Sequence, residues 1–201
     1  MELSPFSFKI YSKTQRRDEL GEPMSLDSSS KNRLPVAPGA ESTGTREPAN
    51  SSVHILEPGQ VHVSPKAQSI VMTLGSGAAV CISDPIGGIG GAAHYLLPEW
   101  DGSGTASPRY GSIAIIALVQ GLLAAGAWRE HLRARVFGGS KLIQTDGPSD
   151  DTVATRNIEV ALEILAKERI PIAYVESGTN RELRVVFQTD SGEVQVTDLE
   201  V

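Results

Sequence analysis

The side chains with chemistry to offer gather in one stretch of the chain. It reads Thr73-Leu-Gly-Ser-Gly-Ala-Ala-Val-Cys-Ile-Ser-Asp-Pro85, then Gly87-Gly-Ile-Gly-Gly-Ala-Ala-His-Tyr-Leu-Leu-Pro98. Cys81 is the single thiol, so neither an internal disulfide nor a cysteine cluster for a metal can form. Among apolar neighbours it reads as a small buried hydrophobe. Asp84, just before Pro85, has the place of a turn cap. No lysine-hydroxyl pair of a phosphate loop follows Gly87-Gly-Ile-Gly-Gly91 and no helix pattern opens there, so tight turns account better for its glycines. His54, His62 and His131 share no close spacing with one another or with carboxylates, and no metal site is expected from them.

These residues need elements to hold them. Val61-His-Val-Ser alternates like a half-buried strand that ends at Pro65. Residues 69–74 and 78–83 are apolar strands broken by Gly75-Ser-Gly77, and residues 92–97 return as a third, closed by Pro98. A glycine- and serine-rich loop lies between Trp100 and Pro108. The apolar run from Tyr110 to about Ala127 is at the short end of the roughly 17–25 residues that a membrane span needs, and it carries Gln120; it reads as a buried core helix. In Leu132-Arg-Ala-Arg-Val-Phe, Leu132, Ala134 and Val136 share one face, and Arg133, Arg135 and Phe137 the other. A polar loop over 144–151 precedes a second helix from about 152 to 169, whose Ile158, Ala161, Leu162 and Leu165 form one apolar stripe. A strand at 172–175 and a hairpin of 183–188 with 193–197 complete the chain. Trp100 and Trp128 flank element ends, where each is expected to seal a core edge. The count of short strands and two helices predicts an α+β fold: a single layered sandwich of largely antiparallel strands with two main helices.

The 201 residues suit one domain with an extension. Residues 1–52 are low in apolar periodicity and rich in Ser, Pro and balanced charge, so a disordered N-terminal extension is expected there, with the folded domain over 53–201. A net charge of -6 argues against nucleic acid as a partner. The N-terminus has no basic segment leading into an apolar one, so no secretory signal is apparent. The lone cysteine suits a reducing cytosol, and a cytoplasmic location is expected.

The stretch from Thr73 to Pro98 resembles the signature of the chemoreceptor glutamine deamidase (CheD) family, a Leu-Gly-Ser-Cys turn followed by a Gly-Gly-x-x-His-x-x-Leu-Pro run. Further segments agree in order over roughly residues 53–197: Ala134-Arg-Val-Phe-Gly-Gly-Ser, Arg156-Asn-Ile-Glu, Ile170-Pro-Ile and Val186-Phe-Gln-Thr-Asp-Ser-Gly-Glu-Val. The resemblance implies a cysteine thiolate that attacks a receptor glutamine carboxamide, and a histidine that activates the thiol and protonates departing ammonia. It implies His94 as that base, Thr73 as an orienting hydroxyl, and Gly75 and Ser76 as the turn whose amides hold the oxyanion. It implies no cofactor and no metal. Its partners would be methyl-accepting chemotaxis receptors and a CheC-type phosphatase, with no membrane span.

One departure matters most. The nucleophile position holds Gly77, which has no side chain. Ser177-Gly178 stands where many members have Gly-Gly, and Asn180-Arg-Glu-Leu-Arg184 is one residue longer. Cys81 lies about 13 Å along a strand from Gly77 and is no substitute on that spacing. Ser76 is nearer, but an unactivated hydroxyl is a poor nucleophile. Two readings follow: deamidation of receptor glutamines in bacterial chemotaxis, or an inactive module that docks receptors or a CheC-type phosphatase. Either way, Gly77 and His94 are expected on adjacent strands at one end of a sheet, with a small void where the sulfur would sit.

Overall fold

The computed structural model describes residues 52–140 and 153–199. The expected extension, up to residue 51, and the polar loop over 144–151 lie outside the described residues. In chain order the elements are β1 (Val53–Ile55), β2 (Gln60–Ser64), β3 (Ser69–Leu74), β4 (Ala78–Asp84), β5 (Ile89–Tyr95) and α1 (Gly111–Ala124). A 3-10 turn (Arg129–His131) leads to β6 (Arg133–Gly138), α2 (Val153–Lys167), β7 (Ile172–Ser177), β8 (Glu182–Gln188) and β9 (Val194–Leu199).

The strands form two sheets, ordered β1-β3-β8-β9 and β2-β5-β4-β6-β7. β1 with β3 and β6 with β7 run parallel, and the other neighbours are antiparallel. The five-stranded sheet is the middle of three layers. Ala78, Val80, Ile82, Ala93 and Tyr95 on one face pack under α1 and α2. Ala79, Cys81, Ala92 and Phe137 on the other meet Ile70, Met72, Leu74, Leu183, Val185 and Phe187 of the four-stranded sheet. Every residue of β4 and β5 is therefore buried, which explains why these strands read as unbroken apolar and small runs. The architecture is the expected α+β sandwich of mostly antiparallel strands with two helices.

α1 buries Gly111, Ala114, Ile115, Leu118, Val119 and Leu122 at helical spacing. Among the described residues, no helix is long and apolar enough to cross a membrane. In α2 the stripe expected from the sequence is in place, with Ile158, Ala161 and Leu165 buried and Leu162 partly so.

Two readings need correction. Ile89–Gly91 are strand residues rather than part of a turn. A Cβ at Gly90 would overlap the backbone of Thr189, carried in by the β8–β9 connection from the other sheet, so glycine here reflects close approach. Trp128 is 63% exposed and seals nothing, since it lies flat toward His131 at 6.2 Å.

Asp84 ends β4 and does more than cap a turn. Its side chain is fully buried: Oδ1 accepts from the N–H groups of Ile86 (3.0 Å) and Gly87 (2.8 Å), and Oδ2 from that of Trp128 (2.9 Å). His131 Nδ1 stands 3.4 Å from the same carboxylate. Burial pushes its acidity toward the neutral form, but the three N–H groups, helped by His131, outweigh this and hold the carboxyl below its ordinary range.

Candidate functional site

The Gly75-Ser76-Gly77 turn carries the chain from β3 in one sheet to β4 in the other. β4 and β5 pair Ala79 with His94 and Ala78 with Tyr95. Side chains alternate, so His94 shares the inter-sheet face with Ala79, and Gly77, two residues before Ala79, lies diagonally across from it on that face. A Cβ built on Gly77 falls 3.7 Å from His94 Nε2. One bond further, a sulfur would swing within hydrogen-bonding reach of that nitrogen. No void marks the place. The same Cβ would stand 2.7 Å from the Tyr95 carbonyl oxygen and 3.4 Å from Leu96 Cδ2, so the chain packs closely around the glycine.

The imidazole of His94 is 2% exposed. Its Nδ1 lies 3.4 Å from the Leu56 carbonyl, a long contact, while the Gly59 N–H donates to the His94 carbonyl at 2.7 Å. A carbonyl can only accept, so this contact favours the proton on Nδ1 and leaves the Nε2 lone pair facing Gly77. Burial lowers the ring's pKa, with the Leu56 carbonyl and the Glu57 carboxylate pulling weakly the other way, so the ring is neutral at pH 7.

This has a measurable consequence. Because the folded ring titrates below its ordinary value of 6.5, the unfolded chain takes up the proton first. Stability from the neutral ring is complete above that value and is lost as pH falls through the folded one. The melting temperature should decline from pH 7 toward pH 5, and His94→Gln should flatten the decline. Part of the slope survives through His54, also lowered by burial and then by His62. An equal slope in both proteins would show that His94 does not titrate this way.

The turn itself is held through all three of its carbonyls. Gly75 O accepts from the Ser140 N–H (3.1 Å), Ser76 O from Asn157 Nδ2 (3.2 Å) and Gly77 O from the Gly139 N–H (2.9 Å). Gly138 makes this crossing feasible: its φ is +113°, and a Cβ there would overlap the Gly77 carbonyl. In a trans peptide the N–H opposes the C=O, so pinning these carbonyls also fixes the directions of the Ser76, Gly77 and Ala78 N–H groups.

The other expected residues do not join this arrangement. Thr73 is exposed between Met72 and Leu74, which point into the inter-sheet core, so its hydroxyl faces away from the ring; the Leu56 carbonyl stands where the orienting group was expected. Ser76 is exposed, whereas His94 is buried. Cys81 pairs with Ala92 and sits two residues beyond Ala79, as Gly77 sits two before it, so the register places it closer to His94 than spacing from Gly77 suggested. It is nevertheless 1% exposed, and burial pushes its thiol far above the ordinary range despite Arg135 nearby. Nor are the remaining histidines as scattered as their spacing suggested. His54 and His62 stack with centroids 3.7 Å apart, and His131 meets Asp84. Among the described residues, no group of three or more His, Cys, Asp or Glu side chains could hold a metal ion.

Comparison with known proteins places the chain among relatives. The family model of CheD chemotactic sensory transduction matches residues 96–198. A protein of Trichlorobacter lovleyi described as a probable chemoreceptor glutamine deamidase CheD is 40% identical over 141 residues, covering 70% of this chain and 87% of that protein. The chain belongs to the CheD family. Proteins of the same description from Caulobacter sp. (strain K31) and Sulfurimonas denitrificans are 42% and 36% identical over 146 and 137 residues, covering 75% and 88% of their own lengths.

In this CheD chain the sequence pointed to the turn and to His94 but not to their supports. The Leu56 carbonyl is main chain and carries no side-chain signal. Asn157 and the Ser140 amide lie in segments that resemble the family, and neither residue type signals a chemical role there.

Proposed function

We propose that this CheD chain acts in bacterial chemotaxis by docking methyl-accepting receptors, with Gly77 and His94 marking the site. Glutamine deamidation is the activity named for its relatives. With glycine at the nucleophile position, the chain docks receptors without hydrolysing their glutamines. The observation that carries this is the His94 Nε2 lone pair facing a backbone position with no nucleophile, 3.7 Å from where a Cβ would be. In this reading His94 is the remnant base, and the Gly75–Gly77 turn is the remnant of the oxyanion site. A CheC-type phosphatase is a second partner in this reading. The net charge of -6 supports no role for nucleic acid, and the lone unpaired cysteine supports a cytoplasmic location.

The test is incubation with a receptor cytoplasmic fragment bearing glutamines. Binding is expected, with ammonia release at background, because loss of a catalytic-unit nucleophile removes almost all rate, about 10⁶-fold in a well-studied case. Robust release that disappears in His94→Ala would overturn the non-hydrolysing reading and leave the deamidase one. Absence of binding would overturn both.

A further inference from the structure

The geometry points to Asn157 as the positioning residue of this site: one buried amide nitrogen bridges the two backbone segments that carry Gly77 and His94. Asn157 Nδ2 donates to Ser76 O at 3.2 Å and to Leu96 O at 3.0 Å. The first bond holds the peptide whose N–H belongs to Gly77. The second holds the chain two residues after His94. A further tie comes from Tyr95, whose hydroxyl donates to the Asn157 backbone carbonyl at 2.7 Å. α2 is thereby bolted to the end of β5 and to the turn opposite it.

The amide orientation is dictated by its partners. Both are carbonyl oxygens, so only the NH2 side can face them. Among the described residues Oδ1 is buried without a partner, in a residue that is wholly inaccessible to solvent. Packing alone does not explain a residue that strands its own acceptor, since an apolar side chain would fill the space with no such penalty. The two-pronged donation does explain it. Without Asn157 the Ser76 carbonyl is free to turn, taking the Gly77 N–H with it, and the Leu96 segment is free to move from the turn and let water reach His94. Asn157 thus deepens the preceding proposal. Only its consequence for receptor docking rests on that reading.

The test uses the full chain with Asn157→Ala, the milder Asn157→Ser, and Tyr95→Phe as a control that removes a bond to the same helix without touching the bridge. Hydrogen exchange of the Gly77 amide, the titration midpoint of His94 by NMR, and the melting temperature are followed in each. In Asn157→Ala, Gly77 exchange should accelerate about tenfold or more, and the His94 midpoint should rise toward about 6.5 as the ring hydrates. Asn157→Ser should shift both in the same direction by less, and it decides the matter if the alanine variant fails to fold. Tyr95→Phe should lower the melting temperature and leave both readouts in place. A loss of stability in the Asn157 variants with Gly77 exchange and the His94 midpoint unchanged would overturn the positioning role. Failure of the unaltered chain to bind the receptor fragment would overturn the functional proposal and leave these readouts intact.

Discussion

Gly77→Cys is expected to convert a chain inert to alkylation into one that takes up a single adduct at position 77. In the unaltered protein the only thiol is Cys81, sealed between the sheets with its thiolate form strongly disfavoured, so iodoacetamide should leave the folded protein unlabelled at pH 7. A cysteine at 77 projects its sulfur toward the free Nε2 of His94, and transfer of the thiol proton to that nitrogen gives the reactive thiolate. The substitution also drives a Cβ to 2.7 Å from the Tyr95 carbonyl, a backbone atom that must yield, which opens the buried turn beside exposed Ser76 to the reagent. A loss of about 1–3 kcal/mol in stability should therefore accompany the gain. Mass spectrometry after brief labelling reads the result: no adduct for the unaltered chain, one for Gly77→Cys, and much slower labelling once His94→Ala is added. Labelling of Cys81 at a comparable rate, or indifference to His94→Ala, would sink the pairing of these two positions.

Asp84→Ala should cause the largest loss of stability of the changes considered, about 3–5 kcal/mol. The carboxylate is the sole acceptor described for three N–H groups gathered from Ile86, Gly87 and Trp128, and alanine strands all three beside a buried cavity. For a domain of this size that corresponds to a fall of roughly 10–15 °C in melting temperature. The same carboxylate sets the acid limit. Its folded pKa is below the ordinary 3.8, so its contribution is complete above that value and is lost as pH falls through the folded one. Asp84→Ala should remove that acid-dependent loss, and a variant that melts within a degree or two of the parent would contradict this account.

The layers of the fold were legible because period-two and period-3.6 patterns report which face of an element is buried. β6 shows this well: Leu132, Ala134 and Val136 do face the helices, and Phe137 the second sheet. What stayed hidden depends on partners distant in the chain. Gly90 looks like a turn residue until Thr189 is placed against it. His131 looks solitary until the fold sets it beside Asp84. Thr73 is different, since Met72 and Leu74 on either side already implied that its hydroxyl faces outward; the family resemblance outweighed a signal the strand itself carried. The support of His94 by the Leu56 carbonyl had no such signal, because a main-chain oxygen is present at every residue.

The bonds around the turn span long stretches of chain: 81 residues between Asn157 and Ser76, and 61 between Asn157 and Leu96. Closing such loops is entropically unfavourable until the intervening elements are in place. At the usual pace of synthesis, the ribosome needs about 4–16 s to travel from Ser76 to Asn157. During that interval β4 and β5 can pair and set His94 diagonal to Gly77, while the Ser76 carbonyl still lacks its anchor. A nascent chain that has ended before α2 thus owns both positions of the site but not the site.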